Sequence, residues 1–191
     1  MMPFARFVQG VAIITVGGVV VLACGDDATP SASTTNKVQS QSSLGCGKSG
    51  APKGLLEKQP ISIKNNARTY DVFVPDAHDG KTPLPIVFVF HGSGGTGADI
   101  RKSYPLEGAA DGKAIFVYPD GSNGEWNIES KADKNIDIQM FDAVLETISG
   151  SHCVDRKRVF ATGYSKGGYF TNQLGCRRGS VIRAIAAHAA G

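Results

Sequence analysis

The sequence predicts an α/β fold in which helices pack on both faces of a mostly parallel sheet. Segments 84–90 and 114–118 are continuous apolar runs, as expected for parallel strands that are covered on both faces. Segment 96–110 has helical character, interrupted at Pro105, and segment 136–148 carries apolar residues at helical spacing. Strands that alternate with helices along a chain build a parallel sheet between helical layers.

Four further strands complete the predicted sheet: 61–63, 68–75, 158–162 and 182–190. The first two alternate apolar and polar residues and flank the turn-prone pair Asn65-Asn66, which predicts an antiparallel hairpin. The third leads through a glycine-rich turn into a predicted helix that ends near Cys176.

Length and charge favour one globular domain without a nucleic-acid surface. The chain has 191 residues, enough for one domain with a substantial core. The formal net charge is only +3, and the basic residues are scattered along the sequence. No nucleic-acid partner is therefore predicted.

Residues 1–24 are predicted to be an export signal and not part of the fold. A short positive region at Arg6 precedes the apolar run 7–22, which is the layout of a secretory signal. The run is shorter than the roughly 20 residues that a membrane-spanning helix needs. Its Leu-Ala-Cys ending resembles a bacterial lipobox, which implies a lipid on Cys24 and anchoring at the cell envelope. An ordinary secretory signal and an uncleaved anchor are the alternatives.

A polar linker is predicted between this signal and the folded domain. Residues 25–43 are rich in Asp, Thr, Ser, Asn, Gln and Pro and contain almost nothing to bury. Such a segment cannot offset its own ordering entropy, so we expect a disordered tether. The folded domain is then expected over 44–191.

Three cysteines fall in this domain: Cys46, Cys153 and Cys176. An exported protein meets oxidising conditions that favour disulfides, and an odd number leaves one thiol free or paired outside this sequence. Three single bridges are possible, and the sequence does not choose among them. Metal ligation is disfavoured, because the cysteines form no C-x-x-C and have no histidine at ligand spacing.

The motif with the clearest chemistry is Gly163-x-Ser165-x-Gly167, between a predicted strand and a predicted helix. This pattern in this context is typical of the nucleophile elbow, a strained turn that exposes a serine hydroxyl. Glycine is required beside the serine because a Cβ would crowd so sharp a bend. The alternative is an ordinary Gly/Ser turn between a core strand and a helix.

A second glycine-rich segment, His91-Gly92-Ser93-Gly94-Gly95, follows the apolar strand 84–90 directly. A loop of this composition lets backbone N–H groups point into a cleft, where they can bind a developing negative charge. Phosphate binding is the alternative for such loops. It is disfavoured here because both the P-loop ending and the full G-x-G-x-x-G spacing are missing from this segment.

Several motifs occur in one order along the chain: 68–75 (RTYDVFVP), 91–95 (HGSGG), 117–121 (VYPDG), 126–127 (WN) and 159–168 (VFATGYSKGG). Together they resemble the polyhydroxybutyrate depolymerase and feruloyl esterase group of α/β-hydrolases. Segment 43–48 (SLGCGK) is similar to the start of the catalytic domain in feruloyl esterase members. The resemblance extends over about residues 44–191 and implies an α/β-hydrolase fold.

The resemblance implies hydrolysis of carboxylic esters through an acyl-enzyme, without a cofactor or metal. Ser165 would be the nucleophile, and the backbone N–H groups of Ser93 and Lys166 would form the oxyanion hole. Implied substrates are aryl esters or polymer-linked esters, such as feruloylated polysaccharide or polyhydroxyalkanoate. Trp126 has two interpretations: a packing residue, or an aromatic wall for an acyl or phenolic group.

The other two members of a catalytic triad are not found after Ser165. In this fold they follow the serine in the order Asp or Glu, then His, but residues 166–191 contain no acid and a single histidine, His188. We therefore expect the sequence to be the N-terminal part of a longer enzyme, cut after the strand that follows the elbow. His91 is expected to support the oxyanion loop. A non-catalytic envelope binding protein, or an inactive fragment, is the alternative function.

Overall fold

The computed structural model describes residues 41–190. The predicted signal peptide with Cys24 and the predicted tether up to residue 40 lie outside this range. Between residues 41 and 190, no helix is long and apolar enough to cross a membrane.

In this part of the chain the elements follow the predicted alternation. They are β1 (Gly54–Ile63), β2 (Asn66–Val74), β3 (Leu84–Phe90), α1 (Gly97–Ser103), α2 (Leu106–Ala110), β4 (Ile115–Pro119), α3 (Ile136–Ser151), β5 (Val154–Tyr164), α4 (Lys166–Arg177) and β6 (Ile182–His188). The strands form one sheet in the order β1-β2-β4-β3-β5-β6. β4, β3, β5 and β6 run parallel, while β1 and β2 are antiparallel to their neighbours. The predicted mostly parallel sheet is thus confirmed.

The predicted β1–β2 hairpin is present, but its turn is shifted by one residue. Lys64 and Asn65 form the turn, with φ values of 46° and 67°, and Asn66 is already the first residue of β2. Two central residues with positive φ match the right-handed twist of the flanking strands. β1 is also longer than predicted, because its register shifts between Leu56 and Gln59 and breaks the alternating pattern.

The sheet has two packing faces, and alternate residues of β3 serve each of them. Phe88 packs on Phe141 of α3, with ring centroids 4.6 Å apart. Val89 packs on the opposite face in a cluster with Ile100 of α1. Complete burial of such a side chain contributes roughly 1.5–3 kcal/mol. Burial on both faces explains why this strand is apolar at successive positions.

Within residues 41–190, the face that carries α1 and α2 is covered only in part. A depression of about 470 Å³ lies there, lined mainly by apolar residues of β3 to β6 such as Val87 and Phe160. β6 is the edge strand beside it, and Ile182 is the one buried residue of that strand. An open apolar face of this kind favours association with other chains.

The 191-residue polypeptide expressed alone is therefore expected to aggregate or to bind hydrophobic dyes, since β6 and the apolar depression meet solvent together. Light scattering and dye fluorescence during a thermal scan measure this behaviour. A monomeric polypeptide that melts in one sharp transition without dye binding would contradict it.

The folded domain begins earlier than predicted. Ser43, assigned above to the tether, is 7% exposed, and its hydroxyl donates a hydrogen bond to the carbonyl oxygen of His152 at 2.7 Å. The backbone N–H of Gln41 donates to the Asp155 carboxylate at 3.0 Å. The assignment of 41–43 to a disordered tether is thus wrong, because composition alone does not show that these residues have hydrogen-bond partners at the end of α3 and on β5.

A disulfide joins Cys46 to Cys153 across 107 residues of sequence. It is one of the three bridges that the sequence left open. Within residues 41–190 no cysteine carries a free thiol.

Loss of this bridge is expected to lower the free energy of unfolding by about 2–5 kcal/mol, because a long loop is no longer constrained in the unfolded chain. Urea titration of the Cys46→Ala/Cys153→Ala double variant measures the effect. Each single variant is a matched control, since it loses the same cross-link. Single variants as stable as the wild-type protein would contradict a stabilising role of the cross-link.

Candidate active site

Ser165 occupies a strained turn between a strand and a helix. β5 ends at Tyr164, α4 begins at Lys166, and Ser165 between them has φ 51° and ψ −120°. A residue with a Cβ adopts such values only where the surrounding structure enforces them, and strain of this kind clusters at functional sites. Here the Ser165 N–H donates to the carbonyl oxygen of His188 at 2.9 Å.

The glycines of the motif are required by close backbone contacts. A Cβ on Gly163 would collide with the carbonyl oxygen of Gly167, and a Cβ on Gly167 would collide with the carbonyl oxygen of Phe90. α4 therefore begins directly against the ends of β3 and β5. This contact fixes the position of Ser165 relative to the loop that follows β3.

That loop, residues 91–95, runs alongside the serine. A Cβ placed on Gly92 would lie 3.5 Å from the Ser165 Cβ. Gly94 has φ 73°, and its N–H donates to the carbonyl oxygen of Gly124 at 2.9 Å. The second glycine-rich segment and the serine turn therefore meet at one end of the parallel sheet, as the order of strands requires.

His91 supports this loop from inside the protein. Its Nδ1 lies 2.7 Å from the carbonyl oxygen of Gly92, and its Nε2 accepts a hydrogen bond from the N–H of Gly121 at 2.9 Å. The side chain is buried, and burial lowers its pKa. A neutral ring that donates from Nδ1 and accepts at Nε2 satisfies both contacts. With both nitrogens occupied, His91 has a supporting role, as predicted.

Trp126 is a packing residue, and its suggested role as an aromatic wall for substrate is wrong. The side chain is 2% exposed, and its indole N–H donates to the carbonyl oxygen of His91 at 2.8 Å. The ring stacks on Phe170 of α4 with centroids 5.1 Å apart. It therefore lies beneath the glycine-rich loop, enclosed by protein.

His188 lies near Ser165 in the backbone but its ring points elsewhere. Its Nδ1 lies 2.7 Å from the Tyr104 hydroxyl oxygen, and its ring is 5.5 Å from that of Tyr164. No histidine or carboxylate among residues 41–190 forms a hydrogen bond with the Ser165 hydroxyl. The His188 ring is thus a surface contact of β6 and not a base for the Ser165 hydroxyl.

Glu125 joins the glycine-rich loop 91–95 to the start of α4, a link that no sequence motif predicted. Its carboxylate accepts a hydrogen bond from the Ser93 hydroxyl and lies 2.6 Å from the Lys166 Nζ. The contacts with Lys166 and Ser93 lower the pKa of this carboxyl. A single acid in a loop has no periodicity or motif that would indicate such a link.

A buried ion pair anchors the loop that carries Glu125. Asp137, at the start of α3, lies 2.7 Å from the Arg68 Nη1 and accepts a hydrogen bond from the Asn127 N–H at 2.7 Å. Both charged side chains are almost fully buried. The pair thus ties β2, α3 and the loop together behind the serine turn.

Asp120 forms a similar structural link at the end of β4. Burial raises its pKa, but hydrogen bonds from Thr69, Gly97 and Lys58 outweigh burial and lower the pKa overall. Across residues 41–190, no cluster of three or more His, Cys, Asp or Glu side chains is arranged to hold a metal ion.

The fold and the strained serine turn define the class of protein: the chain has an α/β-hydrolase fold. It resembles solved structures of an acetyl xylan esterase from Aspergillus awamori (TM-score 0.58, 23% identity, 69% of this chain and 50% of that one). It also resembles LpqC, a poly(3-hydroxybutyrate) depolymerase from Bordetella parapertussis (TM-score 0.57, 21% identity, 72% of this chain and 52% of that one). No family model matches the sequence.

In sequence the chain is similar to feruloyl esterase C of Emericella nidulans, with 35% identity over 159 residues. The match covers 78% of this chain and 53% of that protein. The chain thus spans about half the length of the relatives it matches. These comparisons confirm the resemblance to the polyhydroxybutyrate depolymerase and feruloyl esterase group.

Proposed function

We propose that the protein is a serine esterase that hydrolyses carboxylic esters through an acyl-enzyme, with Ser165 as the nucleophile. The observation that carries this proposal is the strained backbone of Ser165, at φ 51° and ψ −120°, beside a glycine-rich loop. Strain in this position lifts the hydroxyl into the cleft at the end of the sheet. The similarity to feruloyl esterase C supports the same chemistry.

The oxyanion of the tetrahedral intermediate is assigned to the backbone N–H groups of Ser93 and Lys166. Lys166 is the first residue of α4, where a helix has no internal acceptor for its N–H groups and favours negative charge. Ser93 lies in the loop beside Ser165. Removal of one such donor typically raises the barrier by about 3–4 kcal/mol.

A serine hydroxyl attacks an ester only when a base takes its proton. We place the histidine base, and the acid that orients it, in sequence beyond residue 191. Support comes from the length of the relatives, since the matched part is only 53% of feruloyl esterase C. The order Ser, Asp or Glu, His in this fold agrees with that placement.

The proposed substrates are aryl or polymer-linked esters of the feruloyl-polysaccharide or polyhydroxyalkanoate type. Tyr164 and Tyr169, on either side of the serine turn, are 41% and 44% exposed. Aromatic surfaces beside a nucleophile favour contact with a phenolic or extended acyl group. The names of the similar proteins include a feruloyl esterase and a poly(3-hydroxybutyrate) depolymerase.

A fluorophosphonate probe tests the proposed nucleophile directly. The full-length protein is expected to be labelled at Ser165, as mapped by peptide mass spectrometry. The 191-residue polypeptide is expected to label very weakly, since it lacks the proposed base. A folded full-length protein without label at Ser165 would overturn the proposal and favour a non-catalytic binding protein.

The protein is further proposed to be secreted or anchored to the cell envelope by a lipid on Cys24. Support comes from the apolar run 7–22 that ends in Leu-Ala-Cys. Stable anchoring takes more than one acyl chain, since each buried CH₂ contributes about 0.8 kcal/mol.

Cys24→Ser is expected to release the protein from membranes or to leave the precursor uncleaved. Intact mass and the fraction that sediments with membranes measure this outcome. An unchanged mass and an unchanged membrane fraction would show that Cys24 is not lipidated.

A further inference from the structure

Glu125 contacts side chains of both residues whose backbone N–H groups form the proposed oxyanion hole. Its Oε2 lies 2.6 Å from the Lys166 Nζ, and its Oε1 accepts the Ser93 hydroxyl hydrogen bond. Ser93 belongs to the loop after β3, whereas Lys166 begins α4. One carboxylate therefore bridges two elements that are distant in sequence.

The backbone of Glu125 is held firmly. Its N–H donates to the carbonyl oxygen of Ser122 at 3.0 Å, and the next residue, Trp126, is buried under the loop. The N–H of Gly94 donates to the carbonyl oxygen of Gly124 at 2.9 Å, which joins the two loops directly. The carboxylate thus projects from a fixed turn and not from a free loop.

We propose that Glu125 is a positioning residue that holds Ser93 and Lys166 so that their N–H groups converge on one oxyanion. The inference rests on the proposed function. Donors of an oxyanion hole act at 2.7–3.1 Å from the developing charge, so small displacements weaken them. Sites of this kind work when a supporting contact fixes each group to within about 0.5 Å.

The ion pair between Glu125 and Lys166 also reduces the repulsion between the carboxylate and the oxyanion. A carboxylate beside an oxyanion would repel it, but the Lys166 ammonium lies against the Glu125 carboxylate and offsets its charge. The pair can therefore hold the two segments together without adding net negative charge to the site. Lys166 contributes its backbone N–H to the oxyanion and its side chain to the ion pair with Glu125.

Glu125→Ala in the full-length protein is expected to lower kcat for a short aryl ester by about 10- to 100-fold. This is less than the loss of a complete donor, which costs about 10²–10³-fold. The change in KM is expected to be small, because the interaction is made in the transition state and not with bound substrate. The affinity of an arylboronic acid, whose serine adduct is tetrahedral, should fall in the same proportion as kcat/KM.

Glu129→Ala is the matched control, because Glu129 is an exposed acid in the same region and its loss changes the net charge equally. It is expected to leave kcat within about twofold, as surface substitutions away from such links usually do little. Glu125→Gln keeps an acceptor for the Ser93 hydroxyl and should retain more activity than Glu125→Ala. Adding Ser93→Ala to Glu125→Ala should cost little more, since both remove the same link.

The proposal is overturned if Glu125→Ala matches Glu129→Ala in kcat, or if it changes only KM or thermal stability. If Glu125→Ala fails to fold, Ser93→Ala is the second variant, because it removes the hydrogen bond between the Ser93 hydroxyl and Glu125. An unchanged kcat in Ser93→Ala overturns the proposal. Fluorophosphonate labelling of the wild-type protein tests the esterase proposal separately from the proposed role of Glu125. If the wild-type protein is labelled at Ser165 but Glu125→Ala leaves kcat unaffected, only the proposed role of Glu125 is refuted. If the wild-type protein is not labelled, the esterase proposal itself is refuted.

Discussion

Ser165→Ala in the full-length protein is expected to lower kcat for short aryl esters by about 10⁶-fold, the usual loss when a serine nucleophile is removed. The backbone at this position, at φ 51°, already accommodates a Cβ, so alanine should preserve the fold. Initial rates with a chromogenic ester measure the loss, and thermal unfolding verifies the structure.

Ser122→Ala is the matched control for this variant. Ser122 is exposed in the loop that carries Glu125, and its replacement should leave the rate unchanged. If Ser165→Ala retained more than about a hundredth of the wild-type kcat, another group would have to perform the attack. Fluorophosphonate labelling of that variant would then identify the group.

Asp137→Ala is expected to lower the free energy of unfolding by about 3–5 kcal/mol. The variant leaves the Arg68 guanidinium buried without its partner, which is far more costly than loss of a surface pair. It also removes the acceptor for the Asn127 N–H, 2.7 Å away. Urea denaturation followed by fluorescence of Trp126, the residue next to Asn127, measures the change.

Asp142→Ala provides the comparison on the same helix. Asp142 pairs with Arg178 at 2.7 Å, but its side chain is 39% exposed, so its loss should cost about 1 kcal/mol or less. Arg68→Met combined with Asp137→Leu should recover much of the stability, because both charges are then absent. Equal destabilisation by Asp137→Ala and Asp142→Ala would contradict the proposed role of burial.

Much of the architecture could be predicted because burial leaves a local pattern. β3 is apolar at successive positions since both of its faces are covered, and its predicted bounds agree with the structure. The turn at Ser165 could be predicted because its glycines are required by contacts that no other residue permits. In both cases the residues that reveal the structure lie together in one short segment of the sequence.

The links around the serine could not be predicted, because they depend on residues that are distant in sequence. Glu125 meets Lys166 41 residues later in the chain, and Arg68 meets Asp137 across 69 residues. Trp126 could be either packed or exposed until the position of α4 was known. Composition also misplaced the start of the domain, since Ser43 is polar but buried against the end of α3.

The anchoring of residues 41–46 determines how the domain bears mechanical load. Gln41 is hydrogen-bonded to Asp155 at the start of β5, and Cys46 is bonded covalently to Cys153 just before it. Tension on the chain upstream of Gln41 therefore passes into β5, which lies between β3 and β6. Tension therefore meets a strand that has a neighbour on each side before it reaches the edge strand β1.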